Sequence, residues 1–201
     1  MTIPDALTML DGACRARRRV VVRIAPPLPL PEPGPGGRDW EPSVRELVSL
    51  AGGSRFHNLR IYAVDGRDEL LDATRICLLA SNPYWADLAL VAKIWEFTYE
   101  VAVVHAGGLN NGIAVWVDGY LGRVTPIASS LAAFLHLYAR FVERTRTSSD
   151  AAFPFGSAKL IAEDKPFVAR IRAGALPEWE PDEEADALFQ QVLREADRRA
   201  R

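Results

Sequence analysis

Metal-ligating and disulfide-forming residues are scarce in this chain of 201 residues. It has two cysteines, Cys14 and Cys77, and three histidines, His57, His105 and His136. Secreted disulfide frameworks contain more cysteines than this, so we interpret both as free thiols in a reducing compartment. Zinc commonly takes four ligands, and these residues lack metal-ligand spacing. We therefore expect no metal and no cofactor.

Long apolar runs are also missing. No uninterrupted apolar stretch reaches the roughly 20 residues that a membrane helix needs. Val20–Val22 is followed by Arg23 and then by a proline block, which does not fit the apolar region of a signal peptide. The sequence therefore predicts a cytoplasmic protein with no membrane partner.

Neither sign of charge dominates. The chain has 24 basic and 26 acidic residues, a net charge of −2, whereas non-specific binding to nucleic acid needs a summed positive field. The charges are clustered, however. A basic run near the N-terminus contains Arg15, Arg17, Arg18, Arg19 and Arg23. An acidic run near the C-terminus contains Glu178, Glu180, Asp182, Glu183, Glu184 and Asp186.

Proline is concentrated in one segment. Residues 26–35 read PPLPLPEPGP, and proline both fixes φ and removes an amide donor. We therefore predict an extended linker over residues 26–39. It follows a basic N-terminal arm at residues 1–25, which we expect to be disordered except for an edge strand at 20–24.

The body of the chain, residues 40–150, contains segments with the apolar periodicity of helices and segments with that of strands. A helix is predicted at 43–51, where Ser43 and Glu46 have capping-box spacing. Alternating or continuous apolar residues predict strands at 59–63, 76–80, 91–97, 100–105, 112–117 and 121–125. Residues 84–95 alternatively fit a helix, and 68–74 fit one or two helical turns. Asp118–Gly119 is typical of a tight hairpin turn.

Helical periodicity dominates after residue 128. Ser129 or Ser130 can cap a helix with one apolar face, formed by Leu131, Phe134, Leu135, Tyr138, Phe141 and Val142. A strand is predicted at 158–162, a helix from Asp164 to Gly174, and a last helix with an apolar stripe from Ala185 to Ala196. The fold class predicted is α+β: a single domain with a mixed or antiparallel sheet flanked by helices, and a helical C-terminal extension at 151–201.

Candidate catalytic residues are few. His105 lies at a predicted strand end, where it can act as a general base oriented by Asp118. No GxSxG elbow supplies a nucleophile. The segment at 107–112, GGLNNG, resembles a phosphate loop, but neither a Walker lysine nor a following helix accompanies it. We interpret it as a hairpin loop, and His136 as a solvated residue on the side of its helix.

The acidic run is the candidate partner-binding site. Its proposed members are Glu178, Trp179, Glu180, Asp182, Glu183 and Glu184. Trp179 would give a charged docking surface an apolar anchor. Two alternatives stay open: a solvated loop followed by the first turn of a helix, or an internal clamp in which these acids pair with the Arg15–Arg23 run.

Three passages resemble the SUKH superfamily, which comprises fungal cell-wall-synthesis regulators and many bacterial immunity proteins. The first is the helix and glycine pair at Ser43–Gly53, and the second is Leu59–Tyr62 with Asp68–Leu70. The third is the hairpin and helix formed by Asn111–Gly119, Gly122–Val124 and Ile127–Leu135. Leu131 stands where the family usually has an aromatic residue. The resemblance covers about half the chain and excludes residues 151–201.

The resemblance implies an α+β domain without catalytic residues that binds and neutralises a cognate toxin. We therefore expect a non-catalytic protein-binding module, of bacterial origin, with a basic toxin domain as its partner. One alternative is a small hydrolase or transferase that uses His105 and Asp118. The other is a nucleic-acid-associated regulator that uses the Arg15–Arg23 arm. The sequence leaves the oligomeric state open.

Overall fold

The described part of the chain contains six helices and one seven-stranded sheet. The computed structural model describes residues 1–23, 30, 39–62, 88–94, 99–104, 112–118, 122–145, 157–177 and 183–201. The helices in these ranges are α1 (Ile3–Ala16), α2 (Pro42–Ala51), α3 (Leu131–Arg144), α4 (Ala158–Ile161), α5 (Lys165–Arg172) and α6 (Glu183–Arg199). The strands are β1 (Val21–Val22), β2 (Arg55–Phe56), β3 (Leu59–Ile61), β4 (Leu88–Ile94), β5 (Tyr99–Val104), β6 (Ala114–Asp118) and β7 (Arg123–Ala128). The predicted α+β class is confirmed.

The sheet is antiparallel, and each strand pairs with its neighbour in sequence, from β1 to β7. Six of the seven residues of β4 are buried, and β5 and β6 are also mostly buried. A strand covered on both faces shows a continuous apolar run instead of alternation. The register shifts between Leu90 and Ala92 and again between Ala114 and Val115. Such bulges increase the local twist of the sheet.

The N-terminal arm is not disordered, because its first 16 residues contain a helix that belongs to the core. Thr2 and Asp5 form a capping box at the start of α1, with Pro4 in the first turn. The buried residues of α1 follow helical spacing: Ile3, Ala6, Leu7, Leu10, Ala13 and Cys14. The predicted edge strand is confirmed in part, since β1 pairs with β2 at the edge of the sheet.

Helices α1 and α3 pack side by side, and contacts between their matching ends show that they run in the same direction. At their carboxyl ends, the Arg17 guanidinium donates a hydrogen bond to the Glu143 carbonyl. At their amino ends, Met1 lines the same cavity of about 430 Å³ as Ser130 and Ala133. The arginine therefore lies where both helix dipoles place partial negative charge, which stabilises the pair.

Asp164 connects the C-terminal helices to the rest of the domain. Its carboxylate is 7% exposed. One oxygen accepts from the Phe167 amide at 3.1 Å, which caps α5 as predicted, and the other accepts from the Ser129 amide at 2.7 Å, next to the start of α3. The C-terminal helices thus continue the fold of the body through a buried hydrogen-bonded carboxylate.

Three local predictions are wrong. The cap of α2 is Glu41 and not Ser43, because the Glu41 carboxylate accepts from the Val44 amide at 3.0 Å. Residues 158–161 form the short helix α4 and not a strand. The helical alternative for 84–95 is wrong over 88–94, which is β4. The predicted linker at 26–39, apart from Leu30 and residue 39, and the predicted elements at 68–74 and 76–80 lie outside the described residues.

The remaining strong helical predictions are confirmed. The Ser130 hydroxyl accepts from the Ala133 amide at 3.1 Å and caps α3, and the predicted apolar face of α3 is buried. In α6, Ala185, Leu188 and Val192 are buried, and the rest of its stripe packs against the core. None of the helices in the described ranges combines the length and the apolar character needed to cross a membrane.

Candidate functional site

Two of the six predicted docking residues are described, and both lie on the surface. Glu183 and Glu184 form the start of α6 and are exposed. The Glu184 carboxylate lies 3.5 Å from the Arg123 guanidinium, at the start of β7. The other four, Glu178, Trp179, Glu180 and Asp182, lie outside the described residues. The acidic end of α6 is therefore next to the β7 edge of the sheet.

The basic run does not form the internal clamp with these two acids. Arg15 pairs with Asp11 at 2.9 Å, and Arg23 approaches the same carboxylate at 3.6 Å. Arg17 instead binds the end of α3. No arginine of the run pairs with Glu183 or Glu184, so the clamp does not form between the described parts of the two runs, and Arg15, Arg17 and Arg23 are instead bound by groups on α1 and α3.

The predicted catalytic pair is only half described. Asp118 is the last residue of β6 and stands opposite Arg123 across the β6–β7 hairpin, while His105 and residues 107–111 lie outside the described ranges. His136 is partly buried and its Nδ1 is enclosed without a hydrogen-bond partner among the described residues. His136 thus lies on the side of its helix as predicted, but it is only partly exposed and its Nδ1 is not solvated. No three His, Cys, Asp or Glu residues in the described part are placed to hold a metal ion.

A cluster that the sequence did not predict surrounds Glu163, at the turn between α4 and α5. Guanidinium nitrogens of Arg144 and Arg199 lie 2.9 and 3.1 Å from its carboxylate, and that of Arg140 lies 3.9 Å away. Partial burial raises the pKa of the Glu163 carboxyl, but the hydrogen bonds from Arg144 and Arg199 outweigh this effect and hold the pKa below its usual value. We name these four residues the Glu163 cluster.

The Glu163 cluster carries an excess of positive charge on a fixed frame. Arg140 and Arg144 come from α3 and Arg199 comes from the end of α6, so one carboxylate joins three separate segments. Arg199 also donates to the Lys159 carbonyl at 2.8 Å. A guanidinium has five N–H donors, which leaves several for a partner. The described part of the chain therefore presents an acidic surface at one end of α6 and a basic one at the other.

The comparisons with known proteins returned no relative. No family model, no curated protein and no solved structure matches the chain. The candidate surfaces therefore rest on the charges and the packing of α6: Glu183 and Glu184 at its start, and Arg199 near its end.

Proposed function

We propose that the chain is a non-catalytic protein-binding module of the SUKH kind, an immunity protein that neutralises a cognate bacterial toxin. The observation that supports this most is that Glu183 and Glu184 are exposed on a helix whose other face is packed in the core. Both side chains are exposed at the first turn of a 17-residue helix, and the opposite face of that helix is anchored by Leu188 and Val192, which are buried to 2% and 0% exposure. The charges are thus held in place before a partner arrives.

Pre-positioned charges suit an inhibitor that must capture its target quickly. Complementary potentials raise association rates well above those of neutral surfaces, and they suppress binding of wrong partners. A toxin that acts on nucleic acid has a basic surface, which the acidic run Glu178–Asp186 complements. Because Glu184 is 68% exposed and Arg123 is 44% exposed, their ion pair is weak and can exchange for a partner's cation.

The nucleic-acid alternative gains no support from the described arginines. Arg15 and Arg23 share the carboxylate of Asp11, and Arg17 is bound to the Glu143 carbonyl. Asp11 offsets one positive charge of the run, and the hydrogen bond of Arg17 occupies donors that phosphate binding would require. The contacts of the Arg15–Arg23 run therefore favour a structural role at the end of α1.

The proposed function predicts that a gene next to the one for this chain encodes a toxin domain, and that domain is used for the test. The two are co-expressed, and cell survival and the recovery of a stoichiometric complex are measured. We expect both protection and a complex that survives size-exclusion chromatography. Failure to protect, with no complex formed by the purified proteins, would contradict the proposed function.

A further inference from the structure

We propose that a second surface, the groove between α5 and α6, binds an acidic amphipathic segment of a partner protein. This inference rests on the proposed function only in taking the chain to be a protein-binding module. The groove has a volume of about 480 Å³ and opens beside the Glu163 cluster. It lies at the end of α6 opposite to Glu183 and Glu184, so it is separate from the acidic surface.

The floor of the groove is apolar and made of small side chains. Val168 and Ala169 of α5 face Ala196 of α6 and Ala200 beyond it. Because these side chains are small, the space between the two helices can admit a larger apolar side chain of a ligand. The frame around that space is firm, because Phe167 packs edge-on against Phe189 with ring centres 6.3 Å apart, and Phe167 is fully buried.

The rim of the groove is basic. Lys165, Arg172 and Arg199 line it together with Glu163. Arg172 pairs with Asp197, whereas the ammonium of Lys165 is exposed and has no partner in the described part of the chain. Arg140 and Arg144 share Glu163 with Arg199, and Arg140 also lies 3.4 Å from the Glu143 carboxylate. Five cations therefore stand beside three carboxylates, those of Glu143, Glu163 and Asp197. A ligand with apolar side chains that pack on the floor and carboxylates that pair with the basic rim therefore complements the groove.

These features favour an acidic protein segment over nucleic acid. An amphipathic helix in a groove uses apolar anchors at helical spacing, and its charged flanks then meet the rim. Arginine recognises carboxylates through paired N–H donors. Nucleic acid gains nothing from a floor of alanine and valine side chains, whereas the apolar face of an amphipathic helix is buried there. No aromatic side chain lines the groove to stack on a base.

The test uses a defined probe, a fluorescein-labelled 16-residue peptide with leucine at i, i+3, i+4 and i+7, glutamate at four positions of the opposite face and alanine elsewhere, because a run of like charges would unfold the helix. Its binding to the full chain is measured by fluorescence anisotropy at low salt. A matched peptide with glutamine in place of glutamate is expected to bind at least about ten-fold more weakly. The double variant Lys165→Gln with Arg172→Gln is expected to lose about ten-fold in affinity for the acidic peptide.

Two further variants separate the groove from charge in general. Arg123→Gln with Arg194→Gln removes the same charge from exposed arginines outside the groove, and we expect its affinity to change less than about two-fold. Ala169→Trp keeps every charge but fills the floor from an exposed position, and we expect a loss similar to that of the double rim variant. Thermal unfolding of each variant checks that the fold is retained.

Four outcomes overturn the inference. They are no saturable binding of the acidic peptide, an equal loss in the control and rim variants, tighter binding of a 16-nucleotide DNA than of the peptide, and a dimer that the rim variants dissociate. The last would make a second copy's own acidic run the occupant. None of the four affects toxin protection through Glu183 and Glu184, so failure here is distinct from failure of the proposed function.

Discussion

Replacement of Asp164 should destabilise the chain more than the loss of an ordinary helix cap. Asp164 is 7% exposed and holds two amides, Phe167 at 3.1 Å and Ser129 at 2.7 Å. Loss of a cap costs typically about 1 kcal/mol, and loss of a hydrogen bond to a charged group costs about 1.5–3 kcal/mol. We therefore expect Asp164→Ala to lower the free energy of unfolding by about 3–4 kcal/mol.

Two variants show whether both hydrogen bonds of Asp164 matter. Asp164→Asn can still cap α5, but its amide group places a donor against the Ser129 N–H, so we expect a loss of about 2 kcal/mol. Ser130→Ala removes only one cap hydrogen bond, to Ala133 at 3.1 Å, and should cost about 1 kcal/mol.

The assay is urea unfolding followed by circular dichroism, with the midpoint and the slope m fitted separately. At this chain length each kcal/mol shifts the Tm by about 2–4 °C, so Asp164→Ala should melt roughly 10 °C below the wild type. The reasoning is refuted if Asp164→Ala costs no more than Ser130→Ala. It is also refuted if the variants reveal a C-terminal unit that unfolds separately while the rest keeps wild-type stability.

Three more predictions follow from the packing and from the shifted pKa values. Because the pKa of Glu163 is lowered, its stabilisation is present above the unfolded value of about 4.3 and is lost as the pH falls through the lower folded value. The stability gap between wild type and Glu163→Gln, measured by urea unfolding, should therefore close in acid; a constant gap contradicts this. Burial and, to a lesser degree, Asp11 raise the pKa of Cys14 to about 12, so its thiol should resist iodoacetamide at pH 8 until the chain unfolds, as peptide mass spectrometry can check; rapid labelling of folded protein is the opposing result. Leu10 is fully buried, so Leu10→Ala should cost about 2–5 kcal/mol; a loss below about 0.5 kcal/mol in urea unfolding would mean that α1 is dispensable.

The elements that sequence patterns predicted best are those with one buried face. Helix α3 has both an apolar face and the Ser130 cap, and α6 has a stripe with a polar opposite side. Strand β4 is buried on both faces, so its LALVAKI run fits a helix as well as a strand. The four-residue helix α4 is too short to show any period. Its helical turn is instead closed by hydrogen bonds that the Leu160 and Ile161 amides donate to the Ser157 carbonyl.

Helix α1 was missed although its signals are present in the sequence. Thr2 and Asp5 have capping-box spacing, and Ile3, Leu7 and Leu10 recur at helical intervals. What the sequence did not contain is the partner of this helix, because α1 is stable by packing on α3, more than 100 residues away in the chain.

Of the two candidate surfaces, the sequence predicts the acidic one but not the basic one. The exposure of Glu183 and Glu184 follows from their place in the first turn of an amphipathic helix, which is visible in the sequence. The Glu163 cluster is not visible in the sequence, because Arg144 lies 19 residues and Arg199 lies 36 residues from Glu163. Their meeting depends on how α3 and α6 both pack against α4, which no local spacing encodes.

The association rate with the toxin domain that the proposed function predicts as the partner tests the central claim most directly. The rate constant is measured at low and high salt for the wild type and for Glu183→Lys with Glu184→Lys. The matched control is Asp39→Lys with Glu46→Lys, which changes the net charge equally at exposed positions away from α6. We expect the α6 variant to associate about ten-fold more slowly at low salt, with a stability cost of about 1 kcal/mol or less for each substitution, and the control to differ little from wild type. An unchanged rate in the α6 variant, or an equal loss in the control, would contradict the claim that this surface docks the partner.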